Sequence, residues 1–281
     1  MIIHFGGLMN DNPLRQYFRR PSIYLKLPSG GRFYPEGSID LPDNKEIPIF
    51  PMTAIDEITS KTPDALFNGS AVAEIIKSCV PNIKDPWEIP NMDMDPILIA
   101  IRSASEGDSM DVTSTCSKCE NEGNYGISLV GLLSSLKAGD YDTLYNINEL
   151  KIKFKPLTYR DTNKTNAMQF EIQRTLTALE TMPEDQRALA TSEALKNISN
   201  MGILLVSSAI ESITAPNIVV DNKEYILDFL RNCDNTTFES IRDQMVKLRQ
   251  TSEIKPIKIK CVSCSHEYDQ SIALNVADFF G

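Results

Sequence analysis

Hydrophobic and polar positions follow the same order twice along this chain of 281 residues. A strand-like apolar stretch ends near a proline and is followed by a threonine with an aspartate three positions later. The two pairs are Thr53 with Asp56, and Thr158 with Asp161. This spacing predicts a helix N-cap, because the threonine hydroxyl can accept a backbone N–H of the new helix. Amphipathic stretches then lead, in each half, to a Cys-x-x-Cys pair. The repeated order predicts an α+β protein built from two duplicated modules.

Each module is expected to contain a strand, helices and a Cys-x-x-Cys β-hairpin. The first module covers residues 22–135, and the second covers residues 149–281 with a helical insertion. The periodicity predicts helices near residues 53–60, 69–79, 95–106, 161–181, 184–212, 224–233 and 236–248, and a short strand at 218–220. Thr236 with Glu239 has the spacing of a capping box and is expected to begin the last helix.

Two features are predicted ahead of the repeat. Residues 22–27 alternate apolar and polar positions before a glycine-containing turn and Arg32-Phe-Tyr34, which predicts a β-hairpin. Residues 1–21 are expected to form an extended arm that binds another protein chain, or else a disordered tail. Aromatic and arginine side chains commonly anchor interfaces. The candidate partner-binding residues are therefore Arg15, Tyr17, Phe18, Arg19 and Arg20.

The charge balance excludes some classes of partner. The chain has 28 Lys and Arg against 38 Asp and Glu, which gives a formal net charge of −10. Residues 1–27 carry a net charge of +3, so the remainder carries −13. A body this acidic repels phosphate backbones, and a nucleic-acid partner is not expected. The chain also lacks a long apolar run and a signal-like N-terminal pattern, so we expect no membrane segment and synthesis in a cytoplasm.

The cysteines give the most specific chemical signal. Four of the six cysteines fall in the two Cys-x-x-Cys pairs, each flanked by strand-like stretches. Zn²⁺ prefers four such thiolates in a tetrahedron, and disulfides are rare in cytoplasmic proteins. We therefore predict one structural zinc ion bound by Cys116, Cys119, Cys261 and Cys264. Reduced, unligated pairs or redox motifs are the alternatives, and His266 is a possible substitute ligand.

The sequence nominates no catalytic residues. It contains two histidines, His4 and His266, and no glycine-rich phosphate loop. Asp93 and Asp95 could suggest a metal pair, but an N-cap before Pro96 explains them better. We expect neither catalysis nor a small-molecule substrate.

Several segments, in this order, resemble the baseplate hub proteins of T4-like contractile-tailed bacteriophages. They are Leu27-Pro-Ser-Gly-Gly-Arg-Phe-Tyr34, Pro51-Met-Thr53 with Asp56-Glu57, Ile76-Lys-Ser-Cys79, Ile101-Arg-Ser-Ala-Ser-Glu-Gly107 and the Cys116 to Cys119 pair. The resemblance implies a non-enzymatic subunit that assembles with other baseplate and tail proteins. It also implies assembly in the host cytoplasm and a location in the virion tail baseplate. A transient hub-assembly chaperone absent from the finished virion and a zinc-ribbon nucleic-acid adaptor are the alternatives.

Overall fold

The computed structural model describes residues 12–62, 68–179 and 183–272, which combine helices with small antiparallel sheets. The α-helices are α1 (Ala54–Ser60), α2 (Ser70–Cys79), α3 (Asn91–Glu106), α4 (Leu129–Ser135), α5 (Tyr159–Leu179), α6 (Glu184–Ser208), α7 (Lys223–Asn232) and α8 (Asn235–Thr251). The strands are β1 (Ile23–Lys26), β2 (Glu46–Ile49), β3 (Ser109–Thr115), β4 (Glu122–Ser128), β5 (Tyr145–Ile147), β6 (Leu150–Phe154), β7 (Ile210–Ala215), β8 (Ile218–Val220), β9 (Ile257–Lys260) and β10 (Glu267–Gln270). Short 3-10 helices cover Pro13–Tyr17 and Pro86–Glu88. The predicted α+β class is confirmed.

The strands form small antiparallel sheets. β1 pairs with β2, and β5, β6, β7 and β8 form a four-stranded sheet in that order. β3 pairs with β4 and β9 pairs with β10, each as a separate hairpin. These two hairpins contain the Cys-x-x-Cys turns, because Cys116 follows β3 directly and Cys261 follows β9 directly.

Buried side chains gather in two hydrophobic clusters. The first lies among β1, β2, α2, α3, the β3–β4 hairpin and α4, and the second lies among β5, β6, β7, α6, α7 and α8, with Met92 of α3. Ile257, at the start of β9, and Ile272, two residues after the end of β10, pack against the first cluster. The last part of the chain therefore returns to the first cluster, which brings the two cysteine hairpins together.

The two halves also join at a second place. The N–H of Asn91 donates to the carbonyl oxygen of Leu157 at 2.8 Å, and the N–H of Tyr159 donates to that of Ile89 at 2.8 Å. The Tyr159 ring stacks on Trp87 with 5.2 Å between ring centroids. This strand-like junction holds the start of α5 against the start of α3 without involving the cysteines.

The predicted hairpin at residues 22–34 is wrong in its pairing. β1 pairs with β2, in a register that places Ile23 opposite Ile49, and residues 28–33 form successive turns. Gly30, Gly31 and Phe33 all have φ between 65° and 81°, in the left-handed region. A strand cannot run through such backbone, so the chain reverses and pairs with a later segment.

The predicted N-cap role of Asp93 and Asp95 is also wrong, because α3 begins earlier, at Asn91. Asp93 lies in the first turn and is completely buried. Its Oδ1 accepts the backbone N–H of Ser29 at 2.9 Å and its Oδ2 accepts the Ser29 hydroxyl. Burial raises the pKa of Asp93 to about 6, although the hydrogen bonds from Ser29 oppose this shift.

Other predicted boundaries change in the second half. The helix expected to reach residue 212 ends at Ser208, because β7 begins at Ile210 and pairs with β6. The last helix is capped by Asp234, whose side chain accepts the backbone N–H of Thr237, and not by Thr236. The first eleven residues of the predicted arm and the last nine of the second module lie outside the described residues.

Equivalent contacts recur in the two halves. Thr53 and Asp56 exchange side-chain and backbone hydrogen bonds at the start of α1, and Thr158 and Asp161 make the same set at the start of α5. The two N-caps predicted from the sequence are thus present. A second contact also recurs, between the residue that follows a strand and the end of a helix. The N–H of Phe50 donates to the carbonyl oxygen of Cys79, and the N–H of Lys155 donates to that of Ala209. These contacts agree with the duplication, which stays a prediction.

Candidate metal centre and family membership

Each Cys-x-x-Cys pair lies in a tight turn between two paired strands. The N–H of Glu120 donates to the carbonyl oxygen of Cys116, and the N–H of Ser265 donates to that of Cys261, both at 2.9 Å. Glu120 and Ser265 each have φ of 57°, so both turns reverse through a left-handed residue at the same position. The two hairpins therefore present their cysteines with the same backbone geometry.

The four sulfur atoms from the two hairpins meet in one cluster. The Sγ atoms of Cys116 and Cys264 are 3.7 Å apart, and those of Cys119 and Cys261 are also 3.7 Å apart. All four sulfurs lie within 4.8 Å of one another. A tetrahedral zinc site with bonds of about 2.3 Å requires sulfurs about 3.8 Å apart. A disulfide requires about 2.05 Å, so the spacing fits a shared metal ion and not cross-linked cysteines.

Backbone hydrogen bonds favour a thiolate at the first cysteine of each pair, whereas side-chain hydrogen bonds with the other cysteines raise the pKa of Cys119. The backbone N–H groups of Cys264 and Ser263 donate to the Cys261 sulfur and lower the pKa of that thiol to about 6, against the opposing effect of burial. The Cys116 sulfur accepts the backbone N–H of Lys118 at 3.5 Å. Cys116 and Cys261 are each 1% exposed, whereas Cys119 is exposed and Cys264 is half-buried. The first cysteine of each pair thus anchors the site inside the protein, and the second closes it from the surface.

Contacts outside the cluster hold the hairpins in this arrangement. The hydroxyl of Ser114 on β3 lies 2.9 Å from the Tyr268 hydroxyl on β10. It also donates to Oε1 of Gln270 on the same strand. Ser114 is 3% exposed, so this polar contact between the hairpins is shielded from water.

The remaining cysteines and His266 lie outside the cluster. Within residues 12–62, 68–179 and 183–272, the candidate metal ligands that group together are the four predicted cysteines alone. Cys79 is buried in the first hydrophobic cluster, and Cys233 follows the end of α7. The His266 ring stacks on Tyr268, with 6.3 Å between ring centroids.

Four of the five predicted partner-binding residues are exposed. Arg15, Tyr17 and Phe18 lie in or directly after the 3-10 helix Pro13–Tyr17, which buries none of its residues, and Arg20 follows. Tyr17 is 77% exposed and Phe18 is 55% exposed. The expected partner contact is untested for all of them.

Arg19 has a role within the chain that the sequence analysis missed. Its Nη2 donates to the carbonyl oxygen and the hydroxyl of Ser78 at 2.8 Å each, and its Nη1 donates to the carbonyl oxygen of Pro51. Nη1 also lies 3.2 Å from Oδ2 of Asp56, and the guanidinium lies 5.8 Å from the centroid of the Phe50 ring. Arg19 therefore clamps the arm to the ends of β2 and α2 and to the start of α1. The acceptors come from three separate segments, so no local pattern could reveal them.

None of the helices in the described ranges combines the length and apolar character that a membrane crossing requires. Comparison with curated proteins gave no match, and comparison with solved structures gave none either. The family model described as T4 bacteriophage base plate protein matches residues 25–281, which include both cysteine pairs and the Arg19 acceptors but not the arm. Because this match covers most of the chain, the protein belongs to the family of T4 bacteriophage base plate proteins.

Proposed function

We propose that this protein is a non-enzymatic structural or assembly subunit of a contractile-tail baseplate, located at the hub or its periphery. The observation that carries the proposal is family membership across residues 25–281. In this proposal the chain assembles in the host cytoplasm with other tail proteins and remains in the virion. Its acidic body would complement basic neighbours and resist self-association.

We further propose that the metal is Zn²⁺ and that its role is structural. Four thiolates in a tetrahedron leave no open position for a substrate or an activated water, which separates structural from catalytic zinc sites. The four cysteines Cys116, Cys119, Cys261 and Cys264 would hold the ion. Bound there, zinc would link the β3–β4 hairpin to the β9–β10 hairpin and so fix one half of the chain relative to the other.

The absence of turnover is part of the proposal. Of the two histidines, His266 stacks on Tyr268 beside the cysteines, and His4 lies outside the described residues. A cavity of about 430 Å³ lies between α3, α5 and α8, with Asp95 and Lys155 among its lining residues. The described residues that line it include neither histidine nor cysteine, the usual general base and nucleophile of enzymes.

Retention of a tagged copy in purified particles tests this function. Phage that lacks the gene for this protein would be complemented with the tagged full chain. Intact tails would then be analysed by quantitative mass spectrometry. We expect the tag at a fixed stoichiometry relative to other baseplate proteins. If infectious particles form but lack the tag, the protein is a transient assembly chaperone and not a virion component.

A further inference from the structure

Helix α1 buries polar side chains and exposes apolar ones, which is the reverse of the usual arrangement. Its buried residues are Asp56 and Ser60, which are 6% and 2% exposed. Ile55 and Ile58 point outward and are 75% and 69% exposed. Residues three apart lie on the same side of a helix, so the two isoleucines form one apolar face toward solvent. A surface helix normally shows its polar side to water.

The clamp at Arg19 explains why α1 is turned this way. Asp56 closes the N-cap with Thr53 and lies against the Arg19 guanidinium, so this carboxylate has to face the protein. With Asp56 facing inward, Ile55 and Ile58 are left on the outside. The geometry of the cap thus determines which side is exposed, but it does not require that side to be apolar.

The start of α5 shows that a polar face is compatible with the same cap. Counted from the capping Asp161, Arg160 and Asn163 occupy the positions that Ile55 and Ile58 occupy relative to Asp56. Arg160 forms ion pairs with Asp85 and Glu88, and Asn163 hydrogen-bonds to the carbonyl oxygen of Asn68. The polar face at α5 is used within the chain, whereas the apolar face at α1 is exposed.

The arm, which the Arg19 clamp joins to α1, adds further exposed apolar side chains. Leu14, Tyr17 and Phe18 are 61%, 77% and 55% exposed. Arg19 directly follows Phe18, and its guanidinium touches Asp56 beside Ile55, so the clamp joins the arm to α1. We call these five residues the N-terminal patch: Leu14, Tyr17, Phe18, Ile55 and Ile58.

We propose that the N-terminal patch is the docking surface for another baseplate subunit, whose contacting segment carries apolar side chains flanked by carboxylates. This inference rests on the proposed baseplate function. The apolar part of the partner follows from the five exposed side chains, which include the tyrosine type enriched at interface hot spots. The acidic part follows from charge, because residues 12–27 and 54–61, which include the described part of the arm and α1, together hold five basic and two acidic residues.

The same charge argues against a second copy of this chain as the partner. A two-fold dimer through the patch would place identical surfaces against each other. The basic residues of both arms would then be brought into one interface. Like charges at an interface oppose association, so a different chain is the better fit.

The first test is a double substitution, Ile55→Arg with Ile58→Asn, in the tagged full-length chain. It copies the polar face that α5 carries after the same cap. Because both isoleucines are exposed, we expect an unchanged melting temperature. Incorporation into purified baseplates should fall at least about tenfold, as expected when interface anchors are removed. Val130→Asn is the matched control, since Val130 is an apolar residue 55% exposed on another short helix, and its incorporation should stay at the wild-type level.

A photo-crosslinking amino acid at position 58 then identifies the partner in assembled baseplates. We expect crosslinks to one different subunit, at a peptide rich in apolar residues and carboxylates. Normal incorporation of the double variant, or crosslinks that join two copies of this chain, would overturn the inference. The wild-type chain serves as the reference in the same preparation. If the wild type and the variant are both retained in baseplates, only the proposed docking surface is contradicted. If the wild type itself is lost from baseplates, the proposed function is contradicted.

Discussion

At the scale of single residues, the four clustered cysteine sulfurs are the candidate metal ligands. A thiolate pair in a tight turn has few uses in a chain of this type, and metal binding is the commonest of them. That is why the sulfurs of Cys116, Cys119, Cys261 and Cys264 could be grouped from the sequence, although 141 residues separate the two pairs.

Replacing one of these cysteines should release the proposed zinc ion and destabilise the fold. We expect Cys261→Ser to lose bound zinc and to lower the melting temperature by about 10 °C, because a structural metal contributes several kcal/mol. Cys233→Ser is the control, since its sulfur is outside the cluster and a serine hydroxyl can keep the contact with the carbonyl oxygen of Leu230. Elemental analysis and thermal unfolding measure both variants. Zinc bound at wild-type stoichiometry by Cys261→Ser would refute the assignment.

The buried carboxylate of Asp93 predicts a pH dependence of stability. Its pKa of about 6 in the folded protein lies above the value of about 3.9 in an unfolded chain. The folded state therefore binds the proton more tightly, and the free energy of unfolding due to this group falls as the pH rises from about 4 to about 6. The expected change is about 3 kcal/mol, and it should level off above that range.

Asp93→Asn isolates this contribution. The amide can keep an acceptor for the Ser29 N–H and a donor for the Ser29 hydroxyl, but it does not titrate in this range. We expect the variant to gain stability relative to wild type as the pH rises through the window. Any metal released by acid affects both proteins, so the difference between their denaturant-unfolding curves is the quantity to measure. A difference that does not change with pH would show that Asp93 does not titrate there.

At the scale of elements, local signals identified the helices and the two cysteine hairpins but not the pairing of β1. Thr53 and Thr158 were identified as caps because the bonds they make reach only three residues along the chain. The partner of β1 was missed because β2 begins twenty residues after β1 ends, and the intervening turns with Phe33 in the left-handed region leave no regular pattern. The start of α3 was missed because it depends on the junction with residues 157–159.

The Arg19 clamp predicts that one arm residue matters for stability and its neighbour does not. We expect Arg19→Ala to lower the free energy of unfolding by about 2 kcal/mol, because it leaves Asp56 without its cation and Ser78 without two donors. This loss is smaller than that expected for a fully buried ion pair, because the Arg19 side chain is 25% exposed to water.

Arg20→Ala provides the comparison for this variant. Arg20 is exposed and donates to the carbonyl oxygen of Gln16 at 3.3 Å, so we expect a change below about 0.5 kcal/mol. Equal losses in chemical denaturation of the two variants would mean that the clamp contributes nothing to folding. Deletions that probe the arm should accordingly stop before residue 19, so that effects on docking are not confused with effects on stability.

At the scale of the whole molecule, two of the contacts between the halves differ in their dependence on metal. One is the cysteine cluster between the β3–β4 and β9–β10 hairpins, and the other is the junction of residues 89–91 with residues 157–159. The second contact includes backbone hydrogen bonds, a ring stack and the ion pairs of Arg160, so it does not depend on metal. Removal of the metal should therefore loosen only part of the molecule.

Chelation of the proposed zinc ion should expose the two cysteine hairpins to solvent and leave the helices intact. After removal of zinc at 20 °C, we expect faster amide exchange in residues 109–128 and 257–270, and an unchanged helical circular dichroism signal. The amides of α3 and α5 near the junction serve as the internal reference. Cooperative loss of helical signal on chelation would show instead that the metal holds the entire fold.

The division of the proposed zinc site between two distant hairpins has a consequence for synthesis. Until residue 264 leaves the ribosome, Cys116 and Cys119 form only half of a binding site, and two thiolates hold a zinc ion far less securely than four. Two incomplete chains on one polysome could complete each other's half-sites and become bridged between molecules. Correct closure within one chain is favoured when the other contacts, at Ile257, Ile272 and the 89–91 junction, bring the second hairpin close first.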